Sequence, residues 1–313
     1  MQTYILKRIL GMAVVMLIVA TISFVIVRVV PGDPAAIMLG PDASPADIAD
    51  LRARLGLERP LPAQYAIFMG DLLTGDLGRS IFLDRPVVQA LAERAEPTIC
   101  LTVMATLVAL LIGIPAGIVS AVRRGSAVDQ ATLGLAMLGA SIPSFWLGLL
   151  FIQFFAVRLG WFPVAGYGDP GAGFLERLRH LVLPALVLGL LSSALITRFT
   201  RASMLDVLGD DYVRTGRAKG LDEWTVIMKH AFRNALIPVL TVIGLTVAVL
   251  LGGAIVTETV FGLPGVGNLV VQAVLRRDYP VIQGTLIVVA AVYVLVNLTI
   301  DLLYTVVDPR VRY

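Results

Sequence analysis

The 313-residue sequence contains one cysteine and two histidines, and its only lysines are Lys7, Lys219 and Lys229. Each scarcity removes a class of chemistry. Cys100 alone can form no intrachain disulfide and no thiolate metal cluster. His180 and His230 flank different apolar runs, so no His-x-x-x-His zinc pair exists and no metal site is expected. None of the lysines follows Gly-x-x-x-x-Gly, which excludes a P-loop for nucleotide phosphates. A Gly-x-Ser-x-Gly elbow for a serine nucleophile is also absent, and no catalytic residue is nominated. Charge is thin as well: Asp, Glu, Lys and Arg make up 15% of the chain, where soluble domains carry about 25%. Tandem repeats and low-complexity tracts are missing.

Apolar residues take up the space, at 58% of the chain with a mean hydropathy of +0.87. Six runs are free of Asp, Glu, Lys, Arg and His: 9–27, 97–122, 130–157, 181–197, 234–257 and 279–300. A helix needs about 20 such residues to cross a hydrocarbon core of about 30 Å. Lipid admits only helices or closed barrels, and continuous runs of this length are helical. The expected class is an all-α integral membrane protein with six transmembrane helices, with membrane lipid as its solvent. Lys7 and Arg8 give the first run the look of a signal peptide. Its 19 uncharged residues exceed an apolar region of about 7–15, and no small-x-small site follows, so a retained anchor is expected.

Six spans put both termini on one side. With that side cytoplasmic, the inner segments carry thirteen basic residues: Lys7, Arg8, Arg123, Arg124, seven from Arg198 to Arg233, Arg310 and Arg312. The short outer loops carry five: Arg158, Arg177, Arg179, Arg276 and Arg277. The positive-inside rule therefore orients the chain with cytoplasmic termini. It also accounts for the net charge of +3, and without an aromatic-interleaved basic patch no nucleic-acid partner is expected.

The expected organisation is a first helix with an outer subdomain over 1–97, then a five-helix domain over 98–308 with an inner loop at about 198–235. In the outer loop, "PGDP" (Pro31–Pro34) stops the first helix. Ser44-Pro45-Ala46-Asp47 begins a short helix through Leu55, while "LGLERPLPAQY" and "GDLGRS" read as turns.

Four local patterns invite functional readings. The first is "RTGRAKGLDEW" (Arg214–Trp224), a basic segment between two apolar runs. Asp210 and Asp211 can cap a helix over Tyr212–Lys219, Gly220 suits the left-handed residue that ends it, and Asp222 can cap the next helix. In that next helix Trp224, Ile227, Met228, Ala231, Phe232 and Ala235 form an apolar stripe, opposite Thr225, Lys229, His230 and Arg233. Pro238 marks a bend into the fifth span. A loop that binds lipid headgroups is the simpler reading, but the capped turn is more elaborate than that task requires.

The second is the external segment 258–280, apolar for a loop and broken by Gly262, Pro264, Gly265 and Gly267. Such a segment must bury itself. A gate built on Phe261, Pro264, Gly265 and Val266, a docking surface, and a structural interface turn remain open. The third is the face of the sixth helix carrying Asn297, Asp301, Tyr304 and Asp308, at steps of four, three and four. Interhelical hydrogen bonding explains it more simply than a solute path. The fourth is "GASIPSFWLG" (Gly139–Gly148), where small residues and Pro143 suit close packing, and Ser141, Phe145 and Trp146 could also shape a path.

These residues carry a resemblance. "DDYVRTGRAKGLDEW...HAFRNALIPVL" resembles the cytoplasmic loop of permease subunits of binding-protein-dependent ABC importers, in the dipeptide/oligopeptide (peptide/nickel/opine) branch. "PGDP", "LGLERPLPAQY", "GDLGRS", "SIPSFW", "TRASMLDVL", "LGGAIVTETVFGLPGVGNL", "RRDYPVIQG" and "NLTIDLLYTVVDPRVR" are similar to that branch in order from Pro31 to Arg312. The general importer pattern, E-A-A-x-x-x-G followed by I-x-L-P, is only partly kept. Aligned on Gly220, its first three positions fall on Arg214, Thr215 and Gly216, and its I, L and P on His230, Phe232 and Arg233.

The resemblance implies a type I ABC importer transmembrane domain in the bacterial cytoplasmic (inner) membrane. It implies a second homologous permease, two cytoplasmic ATPase subunits and an extracytoplasmic solute-binding protein. No cofactor is implied in this chain, since ATP and Mg would sit on the ATPases. The coupling loop would comprise Asp211, Tyr212, Arg214, Thr215, Gly216, Arg217, Ala218, Lys219, Gly220, Leu221, Asp222 and Trp224. The implied function is a non-enzymatic permease subunit for peptides or related solutes. The resemblance extends to importers of nickel complexes, glutathione, opines and oligosaccharides, which leaves the solute open. The alternative reading is a stand-alone secondary carrier or channel. A structural anchor leaves the capped inner turn without a purpose.

Overall fold

The computed structural model describes residues 2–29, 34–40, 43–54, 56–169, 171 and 173–307. The chain forms two compact units: 1–96 with 265–295, and 97–264 with 296–313. Among the described residues, five helices are long and apolar enough to cross a membrane, Arg8–Val29, Val87–Val122, Phe174–Leu208, Glu223–Gly252 and Tyr279–Leu302. A bent pair supplies a sixth candidate span.

In the first unit, α1 (Gln2–Val29) precedes α2 (Pro34–Leu39), α3 (Pro45–Arg54) and α4 (Leu61–Leu73). Ser44 and Asp47 form a reciprocal capping box at the start of α3: Asp47 N donates to Ser44 Oγ at 3.2 Å, and Ser44 N donates to Asp47 Oδ2 at 3.3 Å. "LPAQY" opens α4 instead of continuing a turn. Pro60 stands at the N-cap and Pro62 in the first turn, where the missing N–H costs nothing, so these prolines start a helix. α4 is tied to the end of α1. The Phe24 ring lies 5.1 Å from Tyr65 and 5.5 Å from Phe68, while Arg28 stacks on Phe24 and donates to Gln64 Oε1 at 3.1 Å. After the turn at Gly78, β1 (Arg79–Ser80) pairs with β2 (Arg85–Pro86) in a minimal antiparallel hairpin.

The segment 265–295 completes this unit with α12 (Val266–Arg276) and the start of α13 (Tyr279–Val307). Leu269 and Ala273 pack against Val87, Ala90 and Leu91, the first turns of α5 (Val87–Val122), together with Val281. The buried Asp278 accepts a hydrogen bond from Ser80 Oγ, which pins the hairpin to the head of α13.

The second unit holds most of α5, then α6 (Ala127–Ser141), α7 (Ser144–Phe151), α8 (Phe174–Leu208), α9 (Asp211–Ala218), α10 (Glu223–Thr225), α11 (Arg233–Val260) and the end of α13. The run 130–157 is not one straight helix. It breaks at Ile142–Pro143, and the two halves meet at 99°. Pro143 has no N–H to continue the α6 ladder and caps α7 in extended conformation (ψ 133°). From Ile152 to Arg158 the second half winds as a π-helix.

α8 is the centre of this unit. Of its apolar window 61% is buried, against 17% for α1. α5 approaches it closely through Gly113 and Gly117. A Cβ added at Gly113 would lie 2.8 Å from Ile196 Cβ, and one at Gly117 would lie 2.6 Å from Thr200 Cβ. Gly189 repeats this from the α8 side against Val108. Glycines four residues apart let helix backbones meet where lipid offers no hydrophobic drive. At the other end of these helices the fully buried Glu258 accepts a hydrogen bond from Thr98 Oγ1 at 2.6 Å.

Candidate functional site

Between α8 and α11 the chain turns out, back and in again over residues 209–233, and the sequence explains each step. Asp210 occupies the N-cap of α9 (ψ 147°), although its side chain makes no capping bond, and the helix covers Asp211–Ala218, one residue earlier than the sequence suggested. It ends in a complete Schellman motif. Gly220 N donates to Arg217 O at 2.9 Å and Leu221 N to Gly216 O at 3.3 Å, with Gly220 at φ +79°. Asp222 then caps α10 by accepting from Thr225 N at 2.9 Å. That backbone N–H holds the Asp222 carboxyl below the usual carboxylate range. The cap's contribution is present at neutral pH and is lost as pH falls through that lowered value.

Three ties make one knob of the two arms. Arg217 forks onto Glu223 at 2.8 and 3.3 Å. Asn234 Nδ2 donates to the Tyr212 hydroxyl at 2.8 Å. Val213 and Val226 are fully buried, and Gly216 admits Leu221 and Val226 to within 4 Å of the place a Cβ would take. The returning arm winds as a π-helix over Val226–Phe232 before α11 begins.

That π-turn corrects one expectation. Trp224 belongs to the apolar stripe by 3.6-residue spacing, yet it is 72% exposed. The buried positions are Val226, Ala231 and Ala235, and the five-residue first step is that of a π-turn. Pro238 lies inside α11, and the π-turn precedes it. The knob thus presents Trp224, half-exposed Tyr212 and Leu221, and exposed Arg214, Thr215, Ala218 and Lys219.

The base of the knob is apolar. Ala231 and Ala235 pack with Ala121 of α5 and Met204 of α8. Beside this cluster lies an ion pair that no local pattern announces, its carboxylate buried and its guanidinium half-buried. Arg201 of α8 grips Asp129 of α6 with Nε to Oδ1 at 2.7 Å and Nη2 to Oδ2 at 2.8 Å. Among the described residues no group of three His, Cys, Asp or Glu side chains converges as a metal site.

The other nominated residues scatter. Ser141 is exposed at the end of α6, where its hydroxyl donates to Met137 O at 2.9 Å. Phe145 and Trp146 follow the break and stand exposed on α7. Asn297 and Asp301 are half-buried in the last turns of α13, whereas the Tyr304 side chain and Asp308 lie outside the described residues. Phe261 is buried against Gly148, and its carbonyl accepts from Gly166 N at 2.9 Å. Pro264 closes the 97–264 segment of the second unit, and Gly265 and Val266 begin the returning segment of the first.

Residues 113–313 match the family described as binding-protein-dependent transport system inner membrane component, and residues 1–102 match the N-terminal segment of such membrane components. The chain belongs to this family. A dipeptide transport system permease protein of Alkalihalophilus pseudofirmus is 44% identical, and a glutathione transport system permease protein of Pectobacterium atrosepticum 45%; each comparison spans 100% of both chains. Among solved structures, a chain of the MetNI methionine ABC transporter in an inward-facing form matches with a TM-score of 0.59 at 18% identity, over 70% of this chain and 97% of that one. The fold is therefore the type I ABC transporter membrane domain, and the protein is a multi-pass permease component, a part of a transporter. Family membership sets aside the stand-alone carrier or channel.

Proposed function

We propose that this permease subunit serves an importer of peptides or related small solutes, pairing with a second permease around the solute path. In this reading the knob over Asp211–Trp224 is the coupling element. It faces the cytoplasm in the bacterial inner membrane, with both termini on the same side, and sits in a cleft of a separate ATPase subunit. Two ATPases would supply ATP, Mg and hydrolysis, and an extracytoplasmic binding protein would deliver the solute. The peptide class rests on relatives named for dipeptide and glutathione transport.

One observation supports the docking reading above the others: the knob is locked internally yet leaves its largest aromatic side chain, Trp224, in the open. Internal fixation suits a part that transmits force. An exposed Trp beside basic side chains has the composition of an interface anchor. A loop that only holds lipid headgroups needs basic residues alone.

Trp224→Ala tests the assignment. The side chain supports little of this chain's own packing, so membrane abundance should stay within about 20% of wild type, since surface changes of this kind stay near ±0.5 kcal/mol. The ATPase copurifying with the permease pair should fall at least tenfold, as befits an anchor worth about 2 kcal/mol. Undiminished ATPase capture would show that the knob does not dock there.

A further inference from the structure

Asp129 is a carboxylate with only 3% of its surface exposed; among the described residues the other buried charged side chains are Glu258 and Asp278. The two oxygens of Asp129 take four donors. Arg201 supplies Nε and Nη2, Gly125 supplies its backbone N–H at 2.9 Å, and the Ser120 hydroxyl completes the set. The donors come from α5 (Ser120), the α5–α6 connection (Gly125) and α8 (Arg201), while Asp129 stands in the first turn of α6. One side chain joins the ends of three helices.

Position makes this junction more than packing. Arg201 lies two turns before the end of α8, and only Gly209 and Asp210 separate α8 from α9. Met204, one turn beyond Arg201, lies in the apolar cluster with Ala231 and Ala235 of the returning arm and Ala121 of α5. Movement of the knob therefore reaches α8 twice, through the chain at 209–210 and through packed side chains at the base. From α8 the fork leads to α6, which runs to the break at Ile142–Pro143 and the exposed Phe145 and Trp146.

An apolar contact could hold these helices together, but it would let them slide. A bidentate arginine–carboxylate pair fixes distance and orientation together. Buried ion pairs often stabilise no better than an apolar replacement of equal volume, and their best-attested use is fixing register. We infer that Asp129 and Arg201 are positioning residues that make the ends of α5, α6 and α8 follow the knob as one body, so that ATPase closure reaches the broken span undiminished. The inference rests on the docking reading of the knob.

The complex with both permeases, both ATPases and binding protein would be reconstituted in liposomes. Solute imported per ATP hydrolysed would be measured together with ATPase capture. The double variant Asp129→Leu/Arg201→Met replaces the pair with apolar side chains that can pack. It should capture ATPase at the wild-type level and keep basal hydrolysis, while import per ATP falls at least tenfold. Arg201→Lys retains the charge and loses the fork, and should lower the same ratio about threefold at unchanged membrane abundance. A wild-type ratio in either variant would overturn the inference and leave the pair a structural staple. Should the double variant fail to assemble, Arg201→Lys decides alone. Absence of ATPase capture by the wild-type chain would instead refute the docking reading, whatever the variants do.

Discussion

Gly220→Val is expected to leave the chain at normal abundance in the membrane and to abolish transport. Gly220 has φ +79°, and no atom lies within 4 Å of the place its Cβ would take, so the substitution meets strain and not a clash. A β-branched residue in the left-handed region is a steric outlier that costs about 1–2 kcal/mol. The helices insert on the strength of long apolar windows, and a penalty of that size does not unfold them. The strain is relieved where it arises, by opening the Schellman bonds from Gly220 N and Leu221 N. The angle between α9 and α10 then changes, and the Arg217–Glu223 fork and Tyr212–Asn234 bond lose their geometry. A docked knob transmits movement only through packed contacts. Hydrolysis should become insensitive to loaded binding protein, with import below about a tenth of wild type. Gly220→Asn is the control, because asparagine tolerates this conformation, and it should retain most transport. Wild-type import in Gly220→Val would mean that the geometry of this turn is irrelevant to coupling.

Gly189→Val should do the opposite, removing the protein before function can be asked. A Cβ there would stand 2.5 Å from Val108 Cβ and 2.8 Å from Ala105 O. Neither neighbour is the free end of a flexible side chain, so α5 and α8 must separate. Overpacking costs about 1–3 kcal/mol where a core can adjust. It should cost more here, because Gly113 and Gly117 bring the same two helices together along their length. Against a total stability of about 5–15 kcal/mol, membrane abundance should fall at least fivefold. Gly134→Ala, on α6 with nothing within 4 Å of the added atom, should leave abundance unchanged. Equal abundance of Gly189→Val and wild type would show that α5 and α8 do not meet at this glycine.

These contrasts mark how far the sequence could be read. The apolar runs gave six spans because lipid length and backbone satisfaction admit so few alternatives, and the Gly220 turn and the Asp222 cap followed from local backbone chemistry. The run 130–157 reads as one span with Pro143 suited to close packing; the break there and its 99° angle depend on how α7 packs against α8 and α11, and no spacing encodes that. Trp224 was misplaced because a helical wheel assumes 3.6 residues per turn, and the π-turn from Val226 shifts the phase of what precedes it. The junction was hidden for a different reason. Asp129 and Arg201 are 72 residues apart, each at the margin of an uncharged run, where a charged residue ordinarily means the membrane surface. Gly113 and Gly117 did carry a readable signal, the small-x-x-x-small spacing of a helix contact, and Gly189, Ser193 and Thr197 of α8 repeat it on the facing side.

Reconstitution of the purified chain, alone and with its partners, separates a permease subunit coupled through its knob from a self-sufficient carrier. Liposomes holding this chain alone should show no solute uptake and no ATP hydrolysis. With the second permease, both ATPases and loaded binding protein, uptake should appear, require ATP, and vanish when Gly220→Val replaces the wild-type chain. Uptake by the chain alone, or ATP-driven uptake indifferent to Gly220→Val, would contradict the coupling role assigned to Asp211–Trp224.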